Sequence, residues 1–244
     1  MSGKERLDRL LQRRGLAATC REAAALIGAG RVLVDDQPAS KAGSRYPETC
    51  SIRLRPRPRF VSRAGDKLQG ALDVFGLDVT GRICLDVGCS TGGFTDCLLQ
   101  RGAAGVYSVD VGYGVLDWKL RRDERVVVLE RTNARYLTTA QIPEPVELVV
   151  IDVAFISLRT VLKPLPPLLA DPFTIVALVK PQFELPRHKI PRGGVVREEK
   201  LHRLALDLVR DGCTAMGMRV RGETPSPVLG TKGNQEFFLL LESA

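Results

Sequence analysis

The stretch Leu85-Asp86-Val87-Gly88-Cys89-Ser90-Thr91-Gly92-Gly93-Phe94 decides the fold class of this 244-residue chain. Residues 82–87 read as a short apolar strand, and residues 93–101 read as a helix. Small residues and two adjacent glycines join the two. Such a strand–loop–helix turn aims backbone N–H groups and a helix N-terminus at a ligand. Asp86 stands at the strand end, where its carboxylate either organises the loop or meets a charged ligand.

The same alternation runs outward on both sides. Leu68, Ala71, Leu72 and Phe75 fall at i, i+3, i+4 and i+7, a helix with Lys67 beside its apolar stripe. Apolar strands are expected over 105–111, 126–129, 147–153, 174–179, 218–222 and 236–241, and helices over 115–122, 158–169 and 200–212. Strands alternating with helices predict an α/β domain: a mainly parallel, Rossmann-like sheet with helices on both faces. A dinucleotide loop needs G-x-G-x-x-G, and Ser90 occupies the place of its second glycine. Asp110 closes the second strand 22 residues beyond Gly88. An acid there holds the ribose hydroxyls of an adenosine ligand of either kind, dinucleotide or not.

Residues 1–60 hold 13 Lys/Arg and 6 Asp/Glu, so +7 of the net +8 lies in the first quarter of the chain. A small basic module ahead of a near-neutral domain is the footprint of nucleic-acid binding, or else an arginine-rich solvated surface. Leu7, Leu10 and Leu11 mark a first helix ended by Gly15, and a second helix follows Thr19-Cys20 over 21–29. Val32 to Val34 and residues 51–54 are short strands, with a turn at Asp35-Asp36-Gln37-Pro38. The stretch Arg53-Leu54-Arg55-Pro56-Arg57-Pro58-Arg59 cannot be helical because of its prolines. It reads as a linker whose four arginines are further phosphate contacts. The division expected is 1–55, a small α+β module; 56–61, the linker; and 62–244, the large domain.

There is no run of 18 apolar residues and no apolar leader after Met1, so no membrane partner or secretion is expected. The six cysteines lack metal-ligand spacing, as do His188 and His202, so reduced thiols, no metal and a cytoplasmic location are expected.

Two resemblances add to this reading. Arg6-Leu7-Asp8, Arg14-Gly15-Leu16, Arg21-Glu22-Ala23-Ala24 and Gly30-Arg31-Val32-Leu33-Val34-Asp35 resemble the S4 RNA-binding domain. Leu85 to Thr95 resembles motif I of the FtsJ-like ribose 2′-O-methyltransferases. Asp110-Val111-Gly112-Tyr113-Gly114, Glu130 to Arg135, Val150 to Leu158 and Lys180-Pro181-Gln182-Phe183-Glu184 resemble the TlyA branch of that group, in the same order along the chain. The resemblance implies a seven-strand sheet whose last strand is antiparallel, with S-adenosylmethionine as cofactor. It also implies methylation of a cytidine 2′-hydroxyl in ribosomal RNA within ribosomal subunits.

It further implies a Lys–Asp–Lys–Glu tetrad, matched here by Lys67, Asp152, Lys180 and Glu236. A ribose hydroxyl is a very weak acid, so its proton must be removed or polarised while the oxygen lies in line with the methyl group. Lys180 is the expected base, Lys67 the ribose holder, and the two acids orient the lysines. Without the resemblance, a buried ion pair is the alternative reading of Asp152 and Lys180. Cofactor contacts are expected from Asp86, Gly88, Ser90, Thr91, Gly92, Gly93, Phe94, Asp110, Val111, Asn133 and Ala134, with Phe94 equally suited to packing. RNA contacts are expected from Arg6, Arg9, Arg13, Arg21, Lys41, Arg59 and Arg63, each equally able simply to solvate a surface. The basic stretch 189–197 is either a mobile loop over RNA or an ordinary connection. Two other functions compete: an RNA-binding ribosome factor without methyl transfer, and a membrane-lytic haemolysin, a name some TlyA relatives carry.

Overall fold

The computed structural model describes residues 3–56 and 58–243; Arg57, one of the four linker arginines, lies outside them. The chain forms two compact units, Met1–Pro58 and Arg59–Ala244. The segment expected as linker is divided by that boundary, and Phe60 is already buried in the core of the second unit.

In the first unit β1 (Lys4–Arg6) pairs antiparallel with β4 (Arg45–Pro47). Helices α1 (Leu7–Arg13) and α2 (Cys20–Gly28) supply Leu7, Leu10, Leu11, Ala23 and Ile27 to the core. Thr19 caps α2, its hydroxyl accepting from the Glu22 N–H at 3.1 Å, while Glu22 Oε2 accepts from the Ala18 N–H at 2.6 Å. These bonds satisfy donors that a helix start otherwise leaves open. Strand β2 (Val32–Val34) lies between β3 (Gln37–Pro38) and β5 (Ile52–Leu54). The expected four-residue turn is tighter: Asp35 and Asp36 both take positive φ, 47° and 63°, and Gln37–Pro38 already pair with β2. Neither β1 nor β4 shows apolar alternation, so periodicity did not reveal them.

The second unit begins with α3 (Ala64–Phe75). It continues through β6 (Ile83–Val87), α4 (Gly93–Gln100), β7 (Gly105–Val109), α5 (Trp118–Arg121), β8 (Val126–Leu129), β9 (Val146–Ile151) and α6 (Leu158–Leu162). Then come β10 (Leu169–Val179), α7 (Pro181–Glu184), α8 (Glu199–Ala215), β11 (Met218–Pro225) and β12 (Phe237–Ser243). The sheet order is β11-β12-β10-β9-β6-β7-β8. Only β12 runs against its neighbours, antiparallel to both β10 and β11, as the family resemblance implied. Strands buried on both faces explain the unbroken apolar runs. Along β9, Leu148 and Val150 pack with α3 and α4, while Val149 and Ile151 pack with α6 and α8.

Two helices are shorter than expected. The one predicted over 158–169 stops at Leu162, because Pro164, Pro166 and Pro167 remove the N–H groups that would continue it. The one predicted over 115–122 is a single turn, started by the Asp117 carboxylate, which accepts from the Lys119 N–H at 2.8 Å. Among the described residues, no helix is long and apolar enough to cross a membrane.

Candidate active site

In a parallel sheet the crevice lies beyond the carboxyl ends of the strands, and three adjoining cavities occupy that edge. The backbone leaving β6 builds the first. The N–H groups of Gly88 and Cys89 both donate to the Val109 carbonyl, at 2.9 and 3.1 Å. Gly88 has φ 86°, and a Cβ there would stand 2.4 Å from the Asp152 carbonyl oxygen. Only glycine lets the ends of β6 and β9 approach this closely. The Asp110 carboxylate joins two loops, accepting from the Ser90 N–H at 2.8 Å and the Gly112 N–H at 2.7 Å. An ionised carboxylate has about four acceptor sites, so two of them remain for a ligand. Together with Val111, Asn133, Ala134 and Phe155, these residues line a cavity of about 330 Å³.

A second cavity of about 260 Å³ shares Gly88, Ser90, Asp152 and Ala154 with the first. It brings together residues from four separate elements: Lys67 of α3, Asp152 after β9, Lys180 after β10 and Glu236 before β12. They form two ion pairs. Lys67 Nζ lies 2.5 Å from Glu236 Oε2, with side chains 8% and 3% exposed. Lys180 Nζ lies 2.5 Å from Asp152 Oδ1, with side chains 13% and 17% exposed. Glu236 owes its room to Gly230, where a Cβ would stand 2.0 Å from Glu236 Oε1. Thr91 and Phe94 line the same cavity, and the Phe94 ring also packs 6.2 Å from Phe238. The third cavity, about 390 Å³, shares Ala154, Lys180 and Glu236 with the second and adds Phe155, Phe183 and Asn234.

Three of the expected ligand contacts lie elsewhere. Asp86 has no exposed surface, so it sits beneath the loop and not against a ligand. Its Oδ2 accepts from the Thr95 hydroxyl at 2.7 Å, and Thr95 Oγ1 is 2.8 Å from Ser108 Oγ. Gly92 and Gly93 are likewise buried at the start of α4. Burial pushes the Asp86 carboxyl from 3.8 up to about 7, opposed by the Thr95 hydrogen bond and reinforced by the charges of Asp152 and Asp110. The folded state therefore holds a proton that the unfolded chain releases near pH 4, and Asp86 costs stability as pH rises from about 4 to about 7. Asp86→Asn is expected to gain on the parent protein by up to about 4 kcal/mol across that window. Urea unfolding at pH 5 and pH 8 measures it; a pH-independent difference contradicts it.

Sequence reading missed several residues that shape the site. Glu184 is buried and accepts from the Ser157 hydroxyl at 2.5 Å and the Leu158 N–H at 2.7 Å, fastening the loop after β9 to α7. That loop carries Phe155, at positive φ and 91% exposed, with its ring 5.1 Å from that of Phe183. The Asn234 side chain accepts from the Val196 N–H at 2.9 Å and donates to the Gly194 carbonyl at 3.0 Å, tying the basic stretch 189–197 to the turn before β12. Only the clustering of Asn234 with Glu236 in one short turn could have drawn attention to it. Among the described residues no group of His, Cys, Asp and Glu is placed to hold a metal ion, and all six cysteines are free.

Of the expected RNA contacts, Arg6 is engaged with Asp8 at 2.6 Å. Arg13 is engaged with Glu5 at 3.0 Å and Glu48 at 3.2 Å. Arg9, Arg21, Lys41, Arg59 and Arg63 are exposed, and the Arg59 guanidinium lies 5.1 Å from the Phe60 ring centroid.

The sequence model of the FtsJ-like methyltransferases matches residues 60–243. The chain belongs to this family. An S4 domain model matches residues 5–48 ahead of the FtsJ-like region. The FtsJ-like chain is 46% identical over 245 residues to the 16S/23S rRNA (cytidine-2'-O)-methyltransferase TlyA of Mycobacterium tuberculosis, covering all of this chain and 91% of that one. It is 36% identical to hemolysin A of Brachyspira hyodysenteriae, covering 95% of this chain and 97% of the other. Among solved structures, a candidate hemolysin from Streptococcus thermophilus superimposes with a TM-score of 0.77 at 41% identity, covering all of this chain and 90% of that one. Both units of this FtsJ-like protein therefore have counterparts in full-length relatives.

Proposed function

We propose that this protein transfers a methyl group from S-adenosylmethionine to the ribose 2′-hydroxyl of cytidine in ribosomal RNA, acting on ribosomal subunits. The observation that carries the reading is the junction of the first two cavities. A wall with two carboxylate acceptor sites free on Asp110 adjoins one with two lysine–carboxylate pairs. The fit to the cofactor rests on Gly88, which leaves room for close approach, and on Asp110, Asn133 and Ala134, which would hold its adenosine end. When bound, S-adenosylmethionine would supply a methyl group activated by a sulfonium, with a neutral thioether as the good leaving group.

What remains for the protein is positioning and a proton. Lys180, on the wall common to the second and third cavities, accepts the hydroxyl proton when it is itself unprotonated. Asp152 holds its Nζ in place. Lys67 holds the ribose oxygens and adds positive potential, with Glu236 fixing its rotamer. Phe94 and Thr91 complete the lining of the same pocket. The test is purified protein with labelled S-adenosylmethionine and each ribosomal subunit, read by nucleoside mass spectrometry. A 2′-O-methylcytidine product is expected; protein inert on both subunits and on naked RNA overturns the reading.

The S4 unit supplies the RNA affinity in this proposal. Among the described residues, Arg9, Arg21 and Lys41 have no carboxylate partner, so they are better placed for phosphate than Arg6 and Arg13. Replacing all three by alanine is expected to lower the slope of log affinity against log salt by roughly 0.7–0.9 per lost phosphate contact. An unchanged slope in filter binding assigns these charges to solvation alone.

A further inference from the structure

Six of the nine large apolar side chains exposed among the described residues fall within residues 111–136. Three of them are aromatic, and an arginine lies over each ring. Arg131 is 4.2 Å from the Tyr113 ring centroid, Arg122 is 5.6 Å from that of Trp118, and Arg135 is 5.4 Å from that of Tyr136. The rings themselves are 67–70% exposed. The segment's other cations are committed: Arg121 to Glu130, Arg125 to Asp123, and Lys119 to Asp96. The three arginines on the rings make no salt bridge among the described residues.

The loops that carry them are joined. The Arg131 N–H donates to the Gly112 carbonyl and the Thr132 N–H to the Asp110 carbonyl, both at 2.9 Å. The same loops supply Asp110, Asn133 and Ala134 to the first cavity. Tyr113 and Tyr136 therefore belong to the joined loops that supply the cavity's β7–β8 side, and Trp118 follows on α5. Lys180 follows β10, four strand positions away along β10-β9-β6-β7-β8, about 19 Å at the usual strand spacing.

We propose that this aromatic segment is a stacking platform for unpaired RNA nucleotides that flank the target, a second RNA contact on the methyltransferase unit itself. The proposal rests on the reading of the chain as an RNA methyltransferase and extends it. Exposed rings offer a face to any base, so such stacking is tolerant of sequence. A guanidinium lying on a ring stiffens the platform and keeps its edge free for a phosphate. Charge complementarity selects RNA as the occupant, because each of these exposed rings carries an arginine that has no carboxylate partner among the described residues.

Trp118 is the only tryptophan in the chain, so its emission reports on this surface alone. The intact protein is titrated with a short single-stranded oligocytidylate and with a fully paired RNA of equal length. Saturable quenching by the single strand, weaker with the duplex, is expected. Tyr113→Ala and Tyr136→Ala are each expected to weaken binding roughly tenfold, with Tyr113→Phe restoring it. The same alanine variants raise KM for ribosomal subunits far more than they lower kcat. Undiminished quenching in the double alanine variant overturns the platform, as does quenching by intact subunits but not by naked RNA, which points to a protein partner. No quenching in protein that methylates subunits overturns the platform and leaves methyl transfer standing. Quenching in protein that methylates nothing supports the platform and sinks the methyl-transfer reading.

Discussion

Lys180→Ala is expected to slow methyl transfer by about 10²–10⁴-fold, the range for loss of a positioned general base, while S-adenosylmethionine still binds. The argument is positional. Lys180 Nζ is 2.5 Å from Asp152 Oδ1 and lies where the second and third cavities meet. Asp110, Asn133 and Ala134, the residues proposed to hold the cofactor, line the first cavity, which Lys180 does not touch. The substitution leaves Asp152 without its partner, but that side chain is 17% exposed and retains access to water. The fold should therefore survive. Single-turnover methylation on ribosomal subunits and equilibrium cofactor binding separate the two effects. Full activity in Lys180→Ala would falsify the assignment of the base.

Lys67→Ala should behave differently. It is expected to remove activity and also to lower folding stability by about 3–5 kcal/mol, because it leaves a buried carboxylate unpaired. Glu236 is 3% exposed at its side chain and is hemmed in by Gly230, so little solvent is at hand to stand in for the ammonium. Pairing Lys67→Met with Glu236→Leu removes both charges and should recover most of the lost stability, since apolar replacement of a whole buried pair is often neutral or better. The double variant should remain inactive. Equilibrium unfolding of the three proteins, with the methylation assay alongside, distinguishes a pair that only supports the fold from one that acts on the ribose. Double-variant protein that regains both stability and turnover assigns Lys67 to packing alone.

The two pairs thus divide the work by burial. The Lys67–Glu236 pair is the more buried of the two, although both side chains border the second cavity. The Lys180–Asp152 pair is more open, and its lysine borders both the second and the third cavity. Asp86 stands apart from both. It lies under the loop as a buried acid held by Thr95, so its influence passes through the loop backbone. Glu184 acts similarly on the other side, setting the loop that presents Phe155.

Much of this was legible before any coordinates. Apolar runs too short for helices marked the strands, and the Gly88 loop marked the ligand end of the sheet. Lys67 could be placed beside an apolar stripe from spacing alone. The small basic module was visible in its charge and in Leu7, Leu10 and Leu11, and the resemblance of its motifs marked it as S4-like. Helix ends were less legible where a proline pair or an Asp cap acts locally, as at Leu162 and Asp117. The strands β1 and β4 were invisible because three charged or half-exposed residues carry no period.

What the sequence by itself determined is the element order and the sheet's apolar composition, with the family resemblance picking out Lys67 on its helix and Asp152, Lys180 and Glu236 beside strand ends. Periodicity and turn chemistry are local properties, and a linear string records them. The tertiary structure alone decided that Lys67 meets Glu236, 169 residues away, that Asp86 is sealed off while Asp152 is not, and that Arg6 and Arg13 are spent on carboxylates of their own unit. It also laid an arginine without a carboxylate partner over each of three exposed rings between residues 113 and 136. A charged or aromatic residue has the same formula whether it is buried, paired or free. Its role depends on which distant segments the strand order brings against it, and no local pattern encodes that.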